Sequence, residues 1–214
     1  MLREILEKYN LLNESPTAVL GDADFSNLPN FHFGEPLKYA YEKDWEIIYS
    51  IRIKERNYYF SINKKHNQTL EILTDLDDNN ERYDIIGRIE LIRVKNIENL
   101  KKEYKPLYQV NKIYIDNKHR KRGLGKLSYL IMLEILKYNL MSDSIQFDGP
   151  RVIYSKLSKF KEIYCDIVDI EKQEIIKENV EIFQNPKKLW DFDTEIWDFD
   201  LDKSKIRIVL YIKE

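Results

Sequence analysis

The sequence is short of the residues that punctuate a chain. It has one cysteine, six glycines, six prolines and three histidines in 214 residues. A single cysteine, Cys165, excludes an intrachain disulfide framework. His32, His66 and His119 are scattered, with no H-x-x-x-H spacing and no Cys pair, so no metal is expected. No apolar run approaches the roughly 20 residues of a membrane span, so no membrane partner is expected. The opening MLREILEKYNLL carries Glu4 and Glu7 and lacks the apolar core of a secretory signal. Charge of one sign is also lacking: Lys and Arg number 35 against 37 Asp and Glu, a net charge of −2. That balance does not suit a chain-wide nucleic-acid surface. There is no G-x-S-x-G elbow, no G-x-x-x-x-G-K-[ST] loop and no G-x-G-x-x-G turn. Serine-hydrolase, P-loop and dinucleotide readings fall with them.

What is present suffices for a core, since 43 % of the residues are hydrophobic. The length suits one domain over 1–214, with 1–40 an N-terminal helix and loop extension and 185–204 an inserted loop. Apolar spacing predicts a helix over 2–12, and Gly21, Pro29, Gly34 and Pro36 mark 21–37 as loop. Strands are expected at 45–53 and 57–62 as a hairpin, then at 69–74 and 84–94, with Gly87 marking a bulge. Residues 75–82, DLDDNNER, read as a solvated acidic loop, and 97–105 as a short helix or loop. An apolar helical stretch runs from Leu127 to about Leu140 and is apolar on more than one face, so it should be covered on two sides. Gly149 and Pro150 open another helix, bearing Tyr154 and Leu157. Strands at 163–170, 178–184 and 205–213 complete the chain. Between the last two, Trp190-Asp191-Phe192-Asp193 is echoed by Trp197-Asp198-Phe199-Asp200. Its acids and aromatic faces suit either a water-facing turn or a cationic amine.

Glycine is scarce, yet two of the six glycines sit one residue apart in VNKIYIDNKHRKRGLGK, residues 110–126. Val110, Ile113 and Ile115 form a β-branched strand, and Asp116, Asn117 and Lys118 end it with turn chemistry. Arg120, Lys121, Arg122, Gly123, Leu124, Gly125 and Lys126 then lead into the helix. Amides at a helix start lack intrahelical partners, the dipole adds positive potential, and glycine allows an anion to approach. Such a loop suits a phosphate; the plainer reading is a helix start beside a solvated basic turn.

The order V-x-x-I-x-I, a polar turn, then R-x-x-G-x-G resembles the acetyl-CoA-binding segment of the GNAT superfamily of N-acetyltransferases. Arg120, Gly123 and Gly125 match its fixed positions. Residues 142–160, SDSIQFDGPRVIYSKLSKF, resemble its second segment in a viral-type variant; the Asn of the commoner N-x-x-A-x-x-x-Y version is absent. The resemblance implies a mixed α/β fold of the α+β kind, with a mostly antiparallel central sheet flanked by helices and a splayed strand at the coenzyme A site. It implies that Arg120, Lys121, Arg122, Gly123, Leu124, Gly125 and Lys126 hold the diphosphate. The strand carrying Ile113 and Ile115 would pair with the pantetheine arm, and an amide near its end would polarise the thioester. Tyr154 matches the general-acid position, and Glu90 stands as a candidate base. The partners would be acetyl-CoA and an amine acceptor (protein, polyamine or small molecule), with no nucleic acid and no metal. The compartment would be the cytoplasm, that of the host for a viral chain. Two other readings stay open: a catalytically inactive GNAT-fold protein that binds coenzyme A or a macromolecule, and a nucleic-acid module using Lys101, Lys102 and Lys118–Lys126.

Overall fold

A computed structural model describes residues 35–76, 81–95, 100–143, 153–154, 156–180 and 205–212. The expected 2–12 helix, His32, the Gly149–Pro150 helix start, most of the 178–184 strand and the WDFD repeat lie outside them. The fold is α+β, a mostly antiparallel open sheet with, among the described residues, few helices. Among the described residues nine strands follow the order β1-β2-β3-β4-β5-β6-β9-β7-β8. They are β1 Trp45–Ile53, β2 Arg56–Asn63, β3 Thr69–Asp75, β4 Tyr83–Arg93, β5 Leu107–Ile115, β6 Asn139–Met141, β7 Ile163–Asp169, β8 Glu174–Lys177 and β9 Ile206–Ile212. The helices include α1 Lys38–Asp44 and α2 Leu124–Leu130, the latter continuing as a π-helix over Ile131–Ile135, with 3₁₀ turns at Lys102–Tyr104 and Asn117–His119 and helical residues at 153–154 and 156–157. None is long and apolar enough to cross a membrane. The chain forms two compact units, Met1–Leu91 with Lys112–Ser128, and Ile92–Asn111 with Tyr129–Glu214.

The first unit is an antiparallel meander. β1 pairs with β2, β2 with β3 and β3 with β4. Alternation drives this: Tyr58, Phe60 and Ile62 of β2 point to one side and are buried, as are Leu70 and Ile72 of β3. Tyr41, Leu73, Tyr83 and Ile85 form a second cluster, which α1 closes. The β3–β4 register slips between Ile72 and Leu73, which face Gly87 and Ile85, so Ile86 is an extra residue at the expected bulge. Gly87 is required there by space: a Cβ would come 3.0 Å from the Tyr114 carbonyl oxygen of β5.

The second unit packs Leu100, Tyr104, Leu107, Met141, Val168, Val209 and Tyr211 together. β9 is antiparallel to both β6 and β7, and β8 forms a hairpin with β7. β6 is parallel to β5, from Leu107 opposite Asn139 to Gln109 opposite Met141. A parallel pair needs a crossover, and the α2–π helix supplies it. β5 itself continues past this register, through Val110 to Ile115.

One expectation is corrected, and one strand is added. The helix does not reach Leu140: it ends in π-type bonds, with Leu136 N–H donating to the Ile131 carbonyl at 3.1 Å. Lys137 then adopts a left-handed φ of 56°. Asn139 turns away because β5's neighbourhood offers it a ladder. Its N–H donates to the Pro106 carbonyl at 3.0 Å and its Nδ2 to the Glu103 carbonyl at 2.7 Å. β8 was not expected either, because EIIK is short. Asp169 Oδ1 makes the turn before it by accepting from the N–H groups of Glu171 and Lys172, each at 3.0 Å.

Candidate functional site

The basic loop follows the C-terminal end of β5, Lys112–Ile115, in the first unit. The carbonyl of Ile86, the bulged residue of β4, accepts the Asp116 N–H at 2.8 Å, which fixes where β5 ends. Asp116 then caps a single 3₁₀ turn over Asn117–His119, its Oδ1 accepting the Lys118 N–H at 2.8 Å. The chain reverses through Lys121 (φ 60°) and Gly123 (φ 78°). Left-handed backbone suits glycine, and a Cβ built on Gly123 would meet nothing within 4 Å. The glycine therefore leaves open space in front of the turn. α2 begins at Leu124, and its first bond runs from Leu127 N–H to the Gly123 carbonyl at 2.9 Å. The amides of Leu124 and Gly125 precede that bond, at the positive end of a helix that runs on to Ile135.

The cations around the turn have distinct tasks. Arg120 Nε donates to the Ile115 carbonyl at 2.8 Å, tying the loop back to its strand. Arg122 Nη1 donates to the Tyr58 hydroxyl of β2 at 2.7 Å. Lys121 is exposed, whereas Lys126 is buried. The Leu124 side chain belongs to the core, so only its backbone is offered to a ligand. Ile113 and Ile115 are half-buried. Tyr58 was not singled out in the sequence. It is one of fifteen tyrosines, and nothing in its own neighbourhood announces that it meets residue 122.

Glu90, also in this unit, lies 3.7 Å from Lys112 Nζ, its side chain 41 % exposed. Tyr154 belongs to the other unit, where its ring meets that of Tyr129 edge-on at 5.6 Å between centroids. Both hydroxyls are buried and, among the described residues, neither has a hydrogen-bond partner of good geometry. Burial, reinforced by the neighbouring Tyr129, pushes Tyr154 well above the usual tyrosine range. Its hydroxyl stays protonated, able to donate and unable to act as a base. Cys165 is buried and its thiol is pushed far up by burial, which leaves it inert as a nucleophile.

An open cavity of about 390 Å³ lies elsewhere in the first unit, lined by Glu35, Pro36, Tyr41, Trp45, Glu71, Ile85 and Arg88. None of the loop residues lines it. Its buried carboxylate, Glu71, already accepts from Arg88 on one oxygen and from the Tyr41 hydroxyl on the other. Among the described residues no group of three His, Cys, Asp or Glu stands where it could hold a metal ion.

Compared with known protein families, curated proteins and solved structures, the chain matches none.

Proposed function

We propose that the chain is a GNAT-like acyltransferase that moves an acetyl group from acetyl-CoA to a primary amine by direct attack. The observation that carries the reading is the turn at 120–125. Left-handed Lys121 and Gly123, open space over Gly123 and the first amides of α2 lie together among three cations. That combination is suited to a diphosphate. The parallel β5–β6 pair, which stops at Gln109 while β5 goes on to the loop, supports a strand edge that can run beside the pantetheine arm.

In this reaction the amine nitrogen attacks the thioester carbonyl, the C–S bond breaks and the sulfur takes up a proton. The family resemblance gives that proton to Tyr154, whose hydroxyl burial holds neutral. The acceptor ammonium must first lose a proton. Glu90 can take it only in competition with its ion pair to Lys112, or through water. That ion pair favours a second reading, a coenzyme-A-binding protein without chemistry. A buried lone thiol is at home in the cytoplasm, where we place the protein.

Acetyl-CoA at a hundred times its Kd should stabilise the fold by about 2.7 kcal/mol. For a chain of this size that raises Tm by roughly 5–10 °C. An unmoved Tm would reject both readings. Release of free thiol with a panel of amines then separates enzyme from binder. Tyr154→Phe should slow thiol release about a hundredfold while coenzyme A affinity holds; full activity in that variant would remove the acid from the mechanism.

A further inference from the structure

Arg122 does not stand alone in the loop. Behind it, in the same unit, the Tyr58 hydroxyl lies 2.7 Å from Arg122 Nη1 and 3.4 Å from His119 Nδ1. Tyr58 is fully buried and His119 nearly so, their rings meeting edge-on at 5.9 Å. A guanidinium only donates, so Tyr58 must accept from Arg122. Its own proton then has one place to go among these groups, the Nδ1 of a neutral His119. The contact at 3.4 Å is long, but it gives the hydroxyl a direction. Burial, then the positive charges of Arg122 and Arg56, hold His119 below its usual range, against the opposing pull of Asp116 and Asp84. The neutral ring is therefore the resting form.

This chain of donors is costly to build by accident. It places a phenol from β2 and an imidazole from the loop in a buried position, and ends on the half-buried guanidinium of Arg122. Arginine has five donors in a rigid fork, so one held by Tyr58 leaves the plane fixed and others for an anion. Lysine at 122 would supply charge but no plane.

We propose that Tyr58, oriented by His119, is a positioning residue that sets the Arg122 guanidinium for the diphosphate of coenzyme A. The proposal rests on the coenzyme A reading of the loop and adds to it a residue from a distant strand. It concerns where the fork is aimed; chemistry at the acetyl end does not depend on it.

The test is a double-mutant cycle with coenzyme A, and with pantetheine, which lacks the diphosphate, as the comparison ligand. Tyr58→Phe keeps the ring and its packing. It should weaken coenzyme A roughly tenfold, the scale of a hydrogen bond to a charged group. KM for acetyl-CoA should rise with kcat unchanged, and pantetheine affinity should not move. In an Arg122→Ala background the same substitution should change nothing, because the group being aimed is gone. Equal losses in both backgrounds, or an equal loss for pantetheine, would overturn the positioning role while leaving the coenzyme A reading intact. If the unsubstituted protein does not bind coenzyme A, that reading itself fails. A second measurement needs no variant. Followed by NMR, the His119 ring should titrate at higher pH once coenzyme A is bound, because the diphosphate offsets the Arg122 charge that Tyr58 holds beside it. An unchanged His119 titration with coenzyme A bound would overturn the proposal.

Discussion

Two clusters of cations differ in how they are closed. In the second unit Lys101 Nζ meets Asp166 Oδ2 at 2.8 Å, the Tyr104 hydroxyl donates to the same oxygen at 2.5 Å, and Asn179 N–H donates to Oδ1 at 2.7 Å. Asp166 is fully buried and both its oxygens are taken. In the first unit Arg122 spends a donor on the Tyr58 hydroxyl, and the turn beside it stays open over Gly123. A closed cluster has nothing left to offer a ligand and serves the fold. An open one is pre-set by its inner bonds and leaves its outer face for an anion. Charge alone does not distinguish the two; the count of remaining partners does.

The comparison breaks most sharply at Lys101. Lys101→Met strands a buried carboxylate, and we expect a loss of about 3–5 kcal/mol in denaturant unfolding. Lys101→Met with Asp166→Leu should recover much of it, whereas a single mutant as stable as the parent would mean that the pair is not buried in solution. The same pair sets a pH window. Burial would raise Asp166, but the hydrogen bonds from Lys101 and Tyr104 more than offset it and hold the carboxyl below its ordinary value. Its contribution is then complete above the unfolded value of about 3.9 and is lost as pH falls through the lower folded value. Lys101 works at the other limit. Burial would lower it, but Asp166 and then Glu178 hold it above its ordinary range. Its share is complete below about pH 10.4 and lost only as pH rises through the higher folded value. Urea midpoints across pH, with Asp166→Asn as the control, check this: the control should lack the acid drop.

Gly123→Glu comes next. A side chain at φ 78° costs about 1–2 kcal/mol of stability. The added carboxylate fills open space and should abolish coenzyme A binding by calorimetry. Unchanged affinity would remove the diphosphate from this turn. The smallest expected effect is at Glu90→Gln. Its exposed ion pair with Lys112 is worth about 0–1 kcal/mol, so Tm should barely move. Any large fall in the rate of amine acetylation then reports on proton transfer rather than on folding.

Much of the sheet was legible because its strands carry their own signals. β1, β3 and β9 lie within a residue of their expected bounds, and Gly87 marked the bulge, because β-branched and aromatic runs bounded by polar turns need no distant information. The glycine-bearing loop was legible for the same reason: Gly123 stands where the backbone is left-handed. β6 and β8 were not. NLM and EIIK are strands only because β5 and β9, and β7, offer them partners. Tyr58 was invisible as a partner of Arg122, since 64 residues separate them in the chain. Lys101 and Asp166, 65 residues apart, were equally silent.

The sequence by itself determined the local items: strand periodicity, the turn residues of the loop, the scarcity of thiols and the lack of any long apolar run. These depend on a residue and its near neighbours, whose sterics and hydration travel with them. Only the tertiary structure decided where the α2 helix stops, which cations are closed off and which hydroxyls are buried. Those outcomes depend on desolvation and on hydrogen bonds between groups far apart in the chain, and no short stretch of residues carries that information.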